Sequence, residues 1–310
     1  MNIKDILKKI VSNKEARLNL VKLLTSHVSD EAMVKFLWHI NYGKEKLNLE
    51  NPQTFNEKLQ WYKLYYHDNL MTQCSDKYLV RDYVKKCGLS HILTPIYSVY
   101  EKVEDISFET LPDECFIKCT HNSNGNILWR KNESLNDVIF IKKKLNRMLK
   151  NNAYYSSREW SYKNIKPRII CEKLLKSDDS NGLVDYNFFC FDGKPKLVMY
   201  NIGLSDEKGE HSIGKRAVLD MNFDPINITT SMNPLDSKFI KKPNNFSDMI
   251  KYAQVLSKPF PHVRVDFFYV NGEIRFGELT FYSAGGYVKL EPKKWQYIIG
   301  DWMKLPQRKM

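Results

Sequence analysis

The stretch that decides the reading is His262-Val263-Arg264-Val265-Asp266-Phe267-Phe268-Tyr269-Val270-Asn271-Gly272-Glu273-Ile274-Arg275-Phe276-Gly277-Glu278-Leu279-Thr280. β-Branched and aromatic residues flank an Asn-Gly pair, which is the pattern of two β-strands joined by a tight turn. Asp266 and Glu278 interrupt that pattern where apolar side chains are expected. A buried carboxylate needs a counter-charge or a metal. Two carboxylates across a hairpin suit a hard divalent ion such as Mg²⁺. Register decides whether they meet. A strict two-residue loop pairs Asp266 with Gly277 and turns Glu278 to the other face. A three-residue loop with a bulge at Gly272 pairs Arg264 with Glu278 and leaves Asp266 diagonally across on the same face. The metal reading therefore requires a bulged turn. The plain alternative is a hairpin with an Arg264–Glu278 ion pair on a solvated face.

The chain around this stretch has 310 residues, 43% of them hydrophobic and 13% aromatic, enough for a real core and against disorder. No apolar run is long enough to span a bilayer, and residues 1–24 are too interrupted by polar side chains for a signal peptide. The six cysteines show no paired metal spacing and read as free core thiols of a reducing cytosol. Cys115 and Cys119, four apart near a strand, should face one side. The net charge of +12 points to an anionic partner. Zinc-finger spacing and RNA-recognition aromatics are both missing, so nucleic acid is unsupported.

Residues 1–50 read as helices, with Ser29 capping the third. The first is basic and amphipathic. Packing on the body is the favoured reading, and peripheral membrane contact at the inner face of a membrane is the other. Thr54-Phe55-Asn56-Glu57 has capping-box spacing and opens a helix over 57–66. Ser75-Asp76-Lys77 starts another, ending at Gly88. Strands follow at 94–97, 115–119 and 127–130. Lys118 lies in the second of these, ahead of the polar loop Thr120-His121-Asn122-Ser123-Asn124-Gly125-Asn126. Such a loop can point several backbone N–H groups at one phosphate, with Lys118 adding charge. An ordinary hairpin loop with a snorkelling lysine is the alternative. A basic helix spans 134–150 and a strand 168–175. A hairpin over 185–200 turns at Asp192-Gly193, and 201–242 reads as a long loop with short strands. Helices at 245–256, capped near Ser247, and 292–303 close the chain.

Taken in order, Lys77, Lys118, Glu172-Lys173-Leu174-Leu175, Arg264-Val265-Asp266 and Glu278-Leu279-Thr280 resemble the ATP-grasp ligases. Asn51 to Trp61, Glu159 to Arg168 and Asp185 to Lys194 narrow the resemblance to the TupA-like family (the teichuronopeptide-biosynthesis type), over roughly residues 30–306. The resemblance implies an α+β ATP-grasp fold, two α+β lobes clasping ATP, with an N-terminal helical extension. It divides the chain into a helical segment (1–70), a small α/β subdomain (71–112), a lobe with the phosphate loop (113–175) and a lobe with the Mg²⁺ site (176–310). It implies that Lys77 and Lys118 hold phosphates, with the loop residues His121, Ser123 and Gly125 beside them. It puts the backbone of Lys173 and Leu174 at the adenine edge, and Glu172 and Asp185 at adenine or ribose. Asp266 and Glu278 bind Mg²⁺, and Arg264 stabilises an oxyanion. Thr280 stands where the family pattern has Asn, which makes the third protein ligand weaker or leaves its place to water. The phosphate loop carries a single glycine.

The function so implied is ATP-dependent carboxylate–amine ligation through an acyl phosphate. The substrates would be an acidic sugar or polysaccharide precursor of the bacterial surface and an amino acid or other amine, joined in the cytoplasm. Family members are also labelled glycosyltransferases by context. That competitor would want an Asp-x-Asp site for a sugar nucleotide, and the sequence has none.

Overall fold

The computed structural model describes residue 25 and residues 27–122, 126–134, 137–178, 182–204 and 214–308. The expected first helix, and Ser123 and Gly125 of the polar loop, lie outside these. Helix α1 (Asp30–Tyr42) starts at Ser29, whose hydroxyl accepts from the Ala32 N–H. Helix α2 (Phe55–Tyr65) has the full capping box, with Thr54 and Glu57 each satisfying the other's backbone. Then come α3 (Asn69–Ser75) and α4 (Val80–Lys86). The helix expected to begin at Ser75-Asp76-Lys77 begins later, at Val80. The buried Asp76 carboxylate accepts from the N–H groups of Tyr78 and Leu79 and holds a turn there, so Lys77 sits in a loop.

Two sheets follow. The smaller has the order β1 (Ile96–Tyr100), β4 (Ile169–Glu172), β2 (Glu114–Cys119), β3 (Ile127–Arg130), every neighbour antiparallel. Strand β1, from the 71–112 segment, is thus a strand of this sheet. Cys115, Ile117 and Cys119 turn to one side and are buried, as their alternation requires. Helix α5 (Val138–Leu149) packs Ile141, Leu145 and Met148 into the same cluster. It is shorter than the expected 134–150.

The larger sheet has the order β10 (Glu273–Thr280), β9 (His262–Val270), β5 (Val184–Phe191), β6 (Lys194–Ile202), β7 (Lys215–Leu219), β8 (Asn233–Pro234), with only β7–β8 parallel. One face buries Tyr186, Phe188, Val265 and Phe267, covered by α6 (Phe246–Ser257), whose Phe246 stacks on Phe188. Helix α6 has Asn245 at its N-cap without a side-chain cap, so Ser247 does not serve. At one end of the other face lies α2, where Phe55 sits 6.0 Å from Phe191 and 5.1 Å from His262. Burying an aromatic side chain of this kind contributes about 1.5–3 kcal/mol. Helix α7 (Lys294–Trp302) packs against α2 so closely that a Cβ on Gly300 would lie 2.2 Å from the Gln53 carbonyl. The N-terminal helices and the large sheet thereby share one core.

A carboxylate pair on the large sheet as a candidate active site

The turn between β9 and β10 is a strict two-residue loop. Val270 pairs with Glu273, and Asn271 and Gly272 take φ of 50° and 87°, the left-handed pair that an Asn-Gly hairpin turn needs. The bulge expected at Gly272 is elsewhere. Phe276 pairs with Phe267, the register then slips at Gly277, and Glu278 pairs directly with Asp266. Neither register considered from sequence is the one formed. A Cβ on Gly277 would meet the Asp266 carbonyl at 3.1 Å and the Phe268 ring at 3.3 Å, so a side chain at this bulge would fit only if those neighbours gave way by a few tenths of an ångström. The slip brings both carboxylates to one face.

That face carries a polar stripe across five strands. Arg264 and Asp266 share it as i and i+2, and Glu278 lies opposite Asp266. On the other side Asn187 pairs with Asp266, Asn201 with Asp185, and Arg216 with Asn201. Hydrogen bonds run along the row: Arg216 Nε to Asn201 Oδ1 at 2.6 Å, Asn201 Nδ2 to Asn187 Oδ1 at 2.7 Å, and Asn187 Nδ2 to Asp185 Oδ1 at 2.7 Å. Asn187, Asn201 and Arg216 were missed in the sequence. Only Asp185 and Asn187, two apart in an otherwise apolar strand, gave a local signal.

Arg264 grips Asp266 with both prongs, Nε to Oδ1 at 2.7 Å and Nη2 to Oδ2 at 2.5 Å. It also reaches Glu278 Oε1 at 3.4 Å. Lys77 Nζ approaches Glu278 Oε2 at 3.4 Å, while its backbone N–H donates to the Thr120 carbonyl just past β2, linking the two sheets. Thr280 Oγ1 donates to Glu278 Oε1 at 3.0 Å. It therefore orients a carboxylate here, at the place where a weak third metal ligand or a water was expected.

The electrostatics follow from crowding. Burial pushes the Asp266 carboxyl up to about 6, against the pull of Arg264 and with Glu278 adding to the rise. Burial and the charge on Asp266 carry Asp185 well above the usual carboxylate range. Burial acts on Glu278 too, but Lys77, Arg264 and the Thr280 hydroxyl outweigh it and hold Glu278 at about 2. Burial pulls Arg216 down to about 10, with the charge of Arg264 adding to the fall. Two carboxylates lie side by side, one readily charged and one resisting charge, with Arg264 and Lys77 already offsetting them. The Glu278 side chain is 40% exposed, so solvent reaches it.

Among the described residues no group of three or more His, Cys, Asp and Glu could hold a metal alone. That suits Mg²⁺, which takes one or two carboxylates from a protein and completes its shell with phosphate oxygens and water. The hard oxygen donors of Asp266 and Glu278 fit such an ion.

On the small sheet Lys118 Nζ lies 2.5 Å from Glu172 Oε2, both side chains about one-fifth exposed. The Lys173 N–H is used by the Pro95 carbonyl. The Leu174 N–H makes no hydrogen bond to another described residue. His121 departs from expectation: it is 1% exposed, with Nε2 on the Asn151 carbonyl at 2.9 Å, so it packs the loop base and presents no face to a phosphate.

The pattern of residues is matched by the family model for TupA-like ATP-grasp proteins, over residues 57–304, from the first turn of α2 to just past α7. The chain belongs to the TupA-like ATP-grasp family. No match was found among curated proteins. Solved structures similar to this TupA-like protein include D-alanine–D-alanine ligase from Bacillus anthracis, at 18% identity and a TM-score of 0.39, covering 73% of this chain and 64% of that one. Phosphoribosylamine–glycine ligase from Thermotoga maritima is similar at 10% identity and a TM-score of 0.39, covering 68% of this chain and 48% of that one. This TupA-like chain spans less than two thirds of either.

Proposed function

We propose that this TupA-like protein is an ATP- and Mg²⁺-dependent carboxylate–amine ligase that forms an amide on a bacterial surface polysaccharide or its precursor, joining an amino acid to a uronic acid in the cytoplasm. The observation that carries the reading is the Asp266–Glu278 pair, set face to face by the Gly277 bulge beside Arg264 and Lys77. Asp266 and Glu278 would hold the ion. Lys77 and Lys118 would meet phosphate oxygens, and Lys173, Leu174, Glu172 and Asp185 the nucleoside. Mg²⁺ supplies charge neutralisation for the phosphoryl group in transfer. What this chain would contribute is positioning and fixed charge: Arg264, held by Asp266, would stabilise a developing oxyanion. The acidic acceptor is supported by the net charge of +12. No helix among the described residues is long and apolar enough to cross a membrane.

The test is ADP release by the purified protein against a panel of uronic acids and amino acids, with UDP-sugar hydrolysis run beside it. ADP release that needs both an acid and an amine is the expected result. UDP-sugar hydrolysis with no acid-dependent ADP release would overturn the reading in favour of glycosyl transfer.

A further inference from the structure

A second polar cluster lies beside the carboxylate pair, apart from the residues assigned above to the nucleotide. Helix α2 carries three buried polar residues toward the loop after β10. The Asn56 amide holds the Val288 backbone through both its donor and its acceptor. Gln60 Nε2 donates to the Gly286 carbonyl at 2.8 Å, and Lys63 Nζ to the carbonyls of Gly285 at 2.6 Å and Ser157 at 3.0 Å. Ala284, Gly285 and Gly286 are all left-handed, so the loop stays curled only because this helix grips it. Facing it is Glu159. Its Oε1 lies 3.7 Å from where a Cβ on Gly285 would stand. Arg158, itself left-handed and 2% exposed, anchors that segment to Asp30 at 3.1 Å, and Ser161 Oγ anchors it to Ser75 Oγ at 2.8 Å.

Two observations mark the place as a binding site. Gln60 Oε1 and Ser283 Oγ, on residues 0% and 2% exposed, have no hydrogen-bond partner among the described residues, and both belong to the elements that meet at this loop. Buried polar atoms of this kind are ordinarily satisfied. Glu159 itself makes no ion pair with any described residue, whereas Asp266 and Glu278 are both claimed by Arg264. The titratable groups that act on it are Lys63 from α2 and Glu278 from β10, with Tyr162, Tyr282 and Tyr287 also within its field, and the Ser157 hydroxyl donates a hydrogen bond to it. Burial, with Glu278 adding to it, lifts its carboxyl above the ordinary range against the pull of Lys63. It is a carboxylate able to accept a proton.

We propose that Glu159 binds the amine co-substrate and takes the proton that its nitrogen sheds during attack, with Gln60 Oε1 and Ser283 Oγ accepting the remaining N–H groups. This rests on the ligase reading. In the step, the amine lone pair forms the C–N bond to the carbonyl carbon of the acyl phosphate. The C–O bond to phosphorus-bound oxygen breaks, its electron pair leaves with inorganic phosphate, and the N–H proton passes to a Glu159 oxygen.

The experiment compares wild type, Glu159→Gln and Glu159→Asp, using the uronic acid that best stimulates ADP release, with either hydroxylamine or an amino acid as nucleophile. Hydroxylamine is largely unprotonated near neutral pH and needs no base. The expected result is amino-acid-dependent amide formation by Glu159→Gln lower by on the order of 100-fold, with a far smaller loss of hydroxamate formation. The loss shrinks as pH rises toward the amine's own pKa, and Glu159→Asp recovers part of it. Unchanged amide formation in Glu159→Gln overturns the proposal. So does equal loss of hydroxamate and amide, which would place Glu159 in activation or in folding. Failure of wild type to form hydroxamate with any acid would instead remove the ligase reading beneath it.

Discussion

Arg264 and Asp266 set the character of the site, because each offsets charge on the other where little water reaches. A guanidinium fork on a carboxylate forms strong paired hydrogen bonds, and Arg264 keeps Glu278 as a second carboxylate partner. From sequence alone Asp266 and Glu278 were visible as misfits in apolar strands. His262 was less so. It is fully buried on the same face, stacked on Phe191, with Nδ1 bonded to the Cys190 carbonyl at 3.0 Å. Burial holds it down to about 3, and the charge of Arg264 adds to the fall. The unfolded value lies near 6.5. The folded pKa is depressed, so the unfolded chain binds the extra proton between those values. The associated stability is present above pH 6.5 and is lost as pH falls toward 3. His262→Phe should therefore flatten the stability–pH curve in that window by up to one proton, about 1.4 kcal/mol per pH unit. Urea unfolding at several pH values measures this, and an unaltered slope would show that His262 is already charged in the native state.

At the scale of elements, strands and capped helices were legible because their periodicity and caps are local. The Thr54–Glu57 capping box and the Asn271-Gly272 turn needed nothing beyond their own residues. The register of β10 was not legible. A bulge at Gly277 depends on what its missing side chain would strike, the Asp266 carbonyl on the neighbouring strand, and that neighbour is set by the fold. Asp76 likewise delayed α4 through a buried turn whose ion pair with Arg168, at 3.2 Å, comes from far along the chain. Gly277→Ala is expected to cost about 1–3 kcal/mol through overpacking and to weaken Mg²⁺-dependent nucleotide binding with it. Denaturant unfolding and calorimetry report both, and a variant as stable as wild type would mean the bulge accommodates a side chain. The small sheet offers a contrast between lysines. Lys118 lies inward against Glu172, while Lys142 on α5 rests over the Phe108 ring. Lys118→Ala should lower affinity for a non-hydrolysable ATP analogue by about tenfold or more, the loss of one charge-assisted contact, and Lys142→Ala by less than about twofold. Equal effects would detach Lys118 from the nucleotide.

For the molecule as a whole, the polar stripe and the Glu159 cluster were hidden from the sequence for one reason. Each assembles side chains from segments far apart in the chain: Asn187 with Asp266, and Lys63 with Gly285. Composition gives only the net charge of +12, since charge adds along a chain without regard to fold. It could not say that α2, the helix announced by the capping box, serves to hold the loop after β10 in place beside the carboxylates.

The most direct measurement is calorimetric titration of a non-hydrolysable ATP analogue into wild type and Asp266→Asn, each with and without Mg²⁺. Wild type should bind more tightly with the ion present, and Asp266→Asn should fold normally by circular dichroism yet bind equally with and without it. An Asp266→Asn protein that keeps the full Mg²⁺ enhancement would contradict the assignment of the facing carboxylates to the metal.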